Sequence, residues 1–159
     1  MNAQEWTAAE LHKLPSRTWR VLHDVPTRYG NVGHVAIGPG RVYVIETKWT
    51  ASEGKSLDGA CGQADRQAQE LRSLLMRRGA GREVFPVLIV WGPRIGDALG
   101  ELPTLRGDTR VVAGRHCVES LERMARAADR LEVDWPAFEV VSQVNGEQGA
   151  PWRSPARFG

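Results

Sequence analysis

The alternation of apolar and polar residues over the first third of the chain predicts one short helix and three strands. Apolar positions at helical spacing predict a helix over residues 3–14, which Pro15 ends. Three apolar runs then predict strands over residues 19–25, 32–37 and 42–48. The segment Gly38-Pro39-Gly40-Arg41 is a tight turn, so the second and third strands form a hairpin.

The rest of the chain alternates helical and strand patterns. It predicts, in order, a polar loop at 50–59, a long helix at 60–78, a strand at 85–91, a loop at 92–108, a strand at 110–113, a helix at 118–131 and one or two helical turns from Asp134. The order αβββαββα predicts an α/β sandwich built on a mixed sheet. Residues 1–145 are expected to form one domain, followed by a flexible tail rich in Gly and Pro at 146–159.

The strand at 42–48 ends in two charged side chains, Glu46 and Lys48. Side chains alternate along a strand, so both lie on the face that carries Val42 and Val44. Charges at the end of an otherwise apolar strand are well placed to face a cleft. Lys48 is one of three lysines beside eighteen arginines, which favours a role for its compact ammonium group.

The segment VGHVAIGPGRVYVIETK, residues 32–48, resembles the signature of the nuclease-related domain NERD. That signature reads roughly I-D-H, three apolar residues, G-P-x-G, four apolar residues and E-T-K. Weaker similarity extends from the first predicted helix through Leu131. The resemblance implies a restriction-endonuclease-like three-layer sandwich of the PD-(D/E)xK superfamily. It also implies that Glu46 and an aspartate hold Mg²⁺, with Mn²⁺ as the alternative, while Lys48 assists the water that attacks a phosphodiester.

The chain departs from this family at the aspartate, because Gly33 stands in its place. A glycine side chain offers no oxygen to Mg²⁺. Asp24 and His34 are candidates to compensate, although a histidine suits Zn²⁺ or Mn²⁺ better than Mg²⁺, and hydrogen bonding within the fold is the simpler role for His34. His23 and Asp24 are expected at a partly solvated strand end. Glu10 is a further candidate, since related nucleases add a glutamate from the first helix.

Two other sets of polar residues are candidate site residues. In the long helix, Gln63 matches the glutamine that the family places beside its active-site strands. Gln67, one helical turn later on the same face, is the alternative. A solvated glutamine face would explain both equally well. Arg77 and Arg78 complement the dipole at the end of this helix, and together with Lys48 they are candidates to bind nucleic acid.

Composition sets the broad class of the protein. The net charge of +2 does not indicate a strongly basic surface. Cys61 and Cys117 form no CxxC pair, which argues against zinc and disulfide frameworks and fits a reduced cytoplasm. No apolar stretch is long enough for a membrane span and no secretory signal is visible, so no membrane partner is expected. The family resemblance makes DNA the expected partner and allows a homodimer.

Three functions are compatible with these patterns. The first is a nuclease-related domain that hydrolyses DNA with Mg²⁺ through Glu46 and Lys48. The second is a pseudo-nuclease, a DNA-binding or regulatory module that lost hydrolysis when the aspartate position became Gly33. The third is an interaction domain in which Glu46 and Lys48 form a structural ion pair, whose replacement by apolar residues would be neutral or stabilising.

Overall fold

A computed structural model describes residues 2–28, 30–52, 57–99, 104–126 and 132–147 of the chain. The helices are α1 (Ala3–Leu11), α2 (Asp58–Arg77), α3 (Ile95–Leu99), α4 (Cys117–Ala125) and α5 (Trp135–Glu147). The strands are β1 (Arg20–Thr27), β2 (Gly30–Ile37), β3 (Arg41–Trp49), β4 (Glu83–Trp91), β5 (Thr104–Arg106) and β6 (Thr109–Ala113). A 3-10 turn, Gly114–His116, precedes α4.

The six strands form one mixed sheet in the order β1-β2-β3-β4-β6-β5. The first three pair antiparallel through short turns, whereas β3, β4 and β6 are parallel. Parallel neighbours need a crossover, and α2 supplies it between β3 and β4. The predicted hairpin of β2 and β3 is confirmed, and Gly40 provides the positive φ, 70°, that its turn requires.

Helices cover both faces of this sheet, which makes three layers. On the α2 face, Val42 and Val44 pack with Leu71 and Leu75 of α2 and with residues of α5. On the α1 face, Tyr43 and Ile45 pack with Leu11 of α1 and with Cys117 and Leu121 of α4. The predicted α/β sandwich with a mixed sheet is therefore confirmed, as is the alternation of side chains along β3. None of the helices in the described ranges is both long and apolar enough to span a membrane.

Several boundaries differ from the sequence prediction. The segment predicted as a loop at 92–108 contains α3 and β5, because short elements carry too few apolar residues to show a period. The final helix has 13 residues rather than one or two turns, and it passes the predicted domain boundary at 145 by ending at Glu147. Residues 127–131 of the predicted fourth helix and residues 148–159 of the predicted tail lie outside the described residues.

Candidate functional site

Glu46 lies near the carboxyl end of β3, under helix α2. It is paired with Leu88 of β4 and is on the same sheet face as Val44. Gln67 of α2 is 1% exposed, and its side-chain amide donates a hydrogen bond to the Glu46 carboxylate. An apolar helix face with one buried glutamine therefore covers an apolar strand face with one partly buried acid.

Burial of the Glu46 carboxylate shapes its chemistry. Desolvation raises the pKa of Glu46 from 4.5 to about 7, against the opposing effect of the Gln67 hydrogen bond. Oε1 of Glu46 is buried and has no hydrogen-bond partner among the described residues. A buried polar atom without a partner needs an explanation, and an ion or water is one of the usual ones.

Lys48 follows Glu46 on the same strand face but lies beyond the buried core. Its side chain is exposed, and it pairs in register with Val90 of β4. Within the described part of the chain, no ion pair joins Lys48 to Glu46. The two residues share an edge of the sheet without forming the structural pair that the third hypothesis requires.

Gly33 of β2 and Asp24 of β1 lie on the two strands that follow β3 across the sheet from Glu46. The pairing of β2 with β3 ends at His34 and Ile45, and Gly33 and Glu46 are the next residues of these neighbouring strands. Asp24 lies on β1 between His23 and Val25, which pair with His34 and Val32 on either side of Gly33. Two strand spacings, about 10 Å, therefore separate the backbones of Asp24 and Glu46. Asp24 is partly buried with a φ of 53°, a conformation that aspartate tolerates better than most residues.

The space beside Gly33 is taken by a side chain from α1. A Cβ at residue 33 would lie 3.3 Å from Oε1 of Gln4 and 3.5 Å from its amide nitrogen. Gln4 thus supplies a neutral amide near the position where the family carries a carboxylate. Nothing in the sequence pattern singled out Gln4, because it is a polar residue in the first turn of an ordinary helix.

His34 is buried with His23 rather than directed to the solvent. The Nδ1 atoms of the two rings are 2.6 Å apart, and the rings meet edge to face. Burial lowers the pKa of His34 from 6.5 to about 4, so the ring is neutral at physiological pH. The expectation that His23 is partly solvated is wrong, since it is 3% exposed.

Gln63 lies one turn before Gln67 and contacts a different part of the molecule. Its amide nitrogen is 3.7 Å from the position of a Cβ at Gly30, and its amide oxygen accepts a hydrogen bond of 3.1 Å from Arg66. Of the two glutamines that the sequence offered, the structure brings Gln67 to Glu46.

Three other candidates lie away from Glu46. Glu10 belongs to α1, on the opposite face of the sheet, where it forms an ion pair of 2.7 Å with Lys13. Arg77 and Arg78 are exposed about 15 Å along α2 from Gln67. Because Leu75 packs near the start of β4 and Cys61 near its end, these arginines lie at the end of the sheet opposite Lys48.

Thr7 is a further residue at this end of the sheet that sequence reasoning missed. It is fully buried in α1, and its hydroxyl oxygen is 2.9 Å from Oγ1 of Thr47 and 2.9 Å from Nε1 of Trp91. It therefore ties α1 to the carboxyl ends of β3 and β4. A threonine among the apolar positions of the first helix was the sequence signal that could have identified Thr7.

The donor set near Glu46 is small for a metal ion. No group of three His, Cys, Asp or Glu side chains close enough to hold a metal occurs in the ranges that the structure describes. Mg²⁺ is commonly held by only one or two carboxylates, with waters and substrate phosphates completing its shell. The free, buried Oε1 of Glu46 fits an ion bound in this way.

Comparison with known families adds one finding. The model of the nuclease-related domain family, NERD, matches residues 1–91, which include α1, the first four strands and α2. No curated protein and no solved structure matches the chain.

Proposed function

The chain belongs to the nuclease-related domain family, and from this premise we propose that it binds DNA at the carboxyl ends of β3 and β4 and hydrolyses phosphodiesters with Mg²⁺ or Mn²⁺. A cytoplasmic location and a homodimer remain predictions from the sequence.

One observation carries this proposal: Oε1 of the partly buried Glu46 is itself buried and has no hydrogen-bond partner among the described residues. A carboxyl group kept only for structure would be expected to have its oxygens paired or to be replaced by an apolar residue. The raised pKa, about 7, means that Glu46 exchanges a proton readily near neutral pH. A divalent ion would displace that proton, since metal ligands bind in their deprotonated form.

Three residues have separate roles in the proposed hydrolysis. Glu46 would hold the ion, which supplies Lewis-acid polarisation of a phosphoryl oxygen. Gln67 is a positioning residue, because its hydrogen bond fixes the Glu46 carboxylate and favours the ionised form. Lys48 places an exposed ammonium group two residues further along the same face, where it can bind a substrate phosphate and orient a water.

Cleavage of plasmid and single-stranded DNA in Mg²⁺ or Mn²⁺ tests this proposal. We expect Glu46→Gln and Lys48→Ala each to lower the rate by on the order of 10²–10³. Lys13→Ala is the matched control, because Lys13 is an exposed lysine on the opposite face of the sheet. Equal rates in all four proteins would show that the cleaving activity does not arise from this site.

The pseudo-nuclease is the second candidate, and Gly33 with Gln4 beside it favours this function. A neutral amide near the aspartate position weakens a site for a divalent cation. In that case the wild type would bind DNA with an affinity that falls with salt, and would cut none with either metal. Loss of DNA binding in Lys48→Ala, without any cleavage by the wild type, would favour this candidate over the first.

A further inference from the structure

A second concave feature lies beside Lys48, at the carboxyl ends of β4 and β6. It is a cavity of about 150 Å³ whose walls include Trp91, Gly92, Pro93, Gly96, Gly114 and Arg115. This volume accommodates a phosphate group. Val90, which also lines the cavity, is the register partner of Lys48. The cavity and the proposed site are therefore one strand apart, about 5 Å.

Glycines form much of its wall because neighbouring groups approach the backbone too closely for a side chain. A Cβ at Gly114 would overlap the indole of Trp91, and one at Gly96 would overlap the guanidinium of Arg115. Gly92 adopts a φ of 154° and lies against the carbonyl of Thr50. The glycines therefore let Trp91 and Arg115 pack directly against the backbone at this end of the sheet, and the Arg115 guanidinium is held against Gly96 at the cavity.

The connections of β4 and β6 open this cavity. After β4 the chain enters α3, whose Ile95 packs on the α2 face with Leu57 and Cys61. After β6 the chain enters the 3-10 turn and α4, which packs on the α1 face. Neighbouring parallel strands whose connections leave to opposite faces form a crevice at their carboxyl ends, where α/β sheets commonly bind ligands.

The charges of the cavity select for an anion. Arg115 lines it, and none of the described residues that line it is acidic. Among the side chains that the structure describes, Arg115 has no carboxylate partner. A planar guanidinium without a partner is well suited to hold two oxygens of a phosphate.

We infer that this cavity is a phosphate subsite in which Arg115 and the glycine backbone bind one phosphate group. The inference deepens the proposed function. It rests on that function because we assign the phosphate to the backbone of the bound DNA strand. Lys48 lies on β3 and Arg115 just after β6, and the backbones of these two strands are two strand spacings, about 10 Å, apart along one edge of the sheet.

Binding measured on the full chain without divalent metal tests this inference, since no cleavage then occurs. Nitrogen-15 NMR follows the amides of Gly92, Gly96 and Gly114 during titration with inorganic phosphate, deoxyadenosine monophosphate and a short single-stranded oligonucleotide, with chloride at equal ionic strength as the reference. The variants are Arg115→Gln, Arg115→Lys as a charge-conserving form, and Arg123→Gln. Arg123 is a control because it is an exposed arginine further along α4.

We expect the phosphate-bearing ligands, but not chloride, to shift these amides. Arg115→Gln should weaken binding about 10-fold, Arg115→Lys less, and Arg123→Gln not at all. For the oligonucleotide, Arg115→Gln should also reduce the slope of log affinity against log salt by about 0.7. Shifts with free phosphate alone would retain the subsite and overturn its assignment to the DNA strand.

Other results would separate this inference from the proposed function. If the oligonucleotide binds in a manner that depends on Lys48 but Arg115→Gln behaves like Arg123→Gln, the subsite is overturned while the proposed function stands. If phosphate and the mononucleotide bind through Arg115 but the oligonucleotide does not bind, the subsite stands and the proposed function fails. No shift with any phosphate-bearing ligand overturns the subsite outright.

Discussion

Two titratable groups on the hairpin of β2 and β3, the buried His34 and the partly buried Glu46, have different surroundings. His34 shares a short hydrogen bond with His23, and burial lowers the pKa of His34 to about 4. Glu46, one residue beyond the partner of His34, receives a hydrogen bond from Gln67 and keeps Oε1 without a partner among the described residues. Burial raises the pKa of Glu46 to about 7.

The difference separates a structural group from a reactive one. Each imidazole of the histidine pair gives the other a partner at Nδ1, and His34 is neutral within the sheet. Nε2 of His34 and Oε1 of Glu46 are both buried without a hydrogen-bond partner among the described residues, but only Glu46 lies beside Lys48, where the end of the sheet meets solvent. We therefore expect changes at Glu46 to affect activity and changes at His34 to affect stability, and the predictions below test this division.

The largest expected effect is on cleavage as a function of pH. If Glu46 must be ionised to bind the ion, the rate at Mg²⁺ concentrations well below saturation should approach a 10-fold fall per pH unit below a pH of about 7, or about 50-fold between pH 7 and pH 5. The measurement is the initial rate of DNA cleavage in Mg²⁺ across this range. A rate that stays flat down to pH 5 would mean that ionisation of Glu46 does not limit the reaction.

The histidine pair should make stability depend on pH. The pKa of His34 is about 4 in the folded protein and 6.5 when exposed, so the unfolded chain binds a proton first as pH falls. The free energy of unfolding should therefore decrease by on the order of 3 kcal/mol from pH 6.5 to pH 4. Urea unfolding at several pH values measures this loss, and His34→Leu should flatten the curve.

The matched control for the histidine pair is His12→Gln, which changes an exposed histidine at the end of α1. Its unfolding curve should follow that of the wild type at each pH. A wild-type stability that does not change between pH 6.5 and pH 4 would contradict the buried, neutral state of His34.

Glu46 should show the reverse dependence of stability on pH. Its folded pKa lies above the ordinary value of 4.5, so the folded state retains a proton that the unfolded chain has lost as pH rises to about 7. The ionised side chain then destabilises the fold, and Glu46→Gln should increase the free energy of unfolding at pH 8 by about 2 kcal/mol, with little effect at pH 4. Thermal unfolding measures the difference.

The exposed Glu119 supplies the control for Glu46, since Glu119→Gln should change stability little at either pH. Mg²⁺ should stabilise the wild type at pH 8 by mass action and leave Glu46→Gln unchanged. A decrease in stability for Glu46→Gln at pH 8 would indicate that the carboxylate has a structural partner after all.

The smallest expected effect concerns the missing aspartate. Gly33→Asp adds a carboxyl group on the strand next to the one that carries Glu46, where only the flexible end of Gln4 must move. An added carboxylate should raise the affinity for Mn²⁺ about 10-fold, as calorimetry would measure. Gly33→Asn is the control for size without charge. Equal affinities in the two variants would show that residue 33 does not face the metal.

Much of the fold could be predicted because its strands have strong periods. Turn residues alone predict the hairpin of β2 and β3. The alternation of side chains alone places Glu46 on the face of β3 that carries Val42 and Val44. The short elements α3 and β5 could not be predicted, because 5 and 3 residues give no measurable period. The choice between Gln63 and Gln67 depended on how α2 lies across the sheet, which helical spacing does not determine.

Long-range placement limited the prediction of the site. The sequence places Arg77 and Arg78 on the same helix as Gln67, but the direction of α2 over β3 carries them to the far end of the sheet. Glu10 was a candidate by analogy, and its helix packs on the face that Glu46 does not use. Gln4 and Arg115 are near the site only through tertiary packing, so no local pattern indicates either residue.

Direct titration of the Glu46 carboxyl group tests the central claim. Carbon-13 NMR of the glutamate side chains, with Glu46→Gln to assign the signal, would follow Glu46 from pH 4 to pH 9 with and without Mg²⁺. A metal-binding carboxylate in this setting predicts a pKa of about 7 without the ion and a clearly lower pKa with it. Titration near 4.5 that Mg²⁺ leaves unchanged would contradict the claim that Glu46 is a buried ligand for a divalent ion.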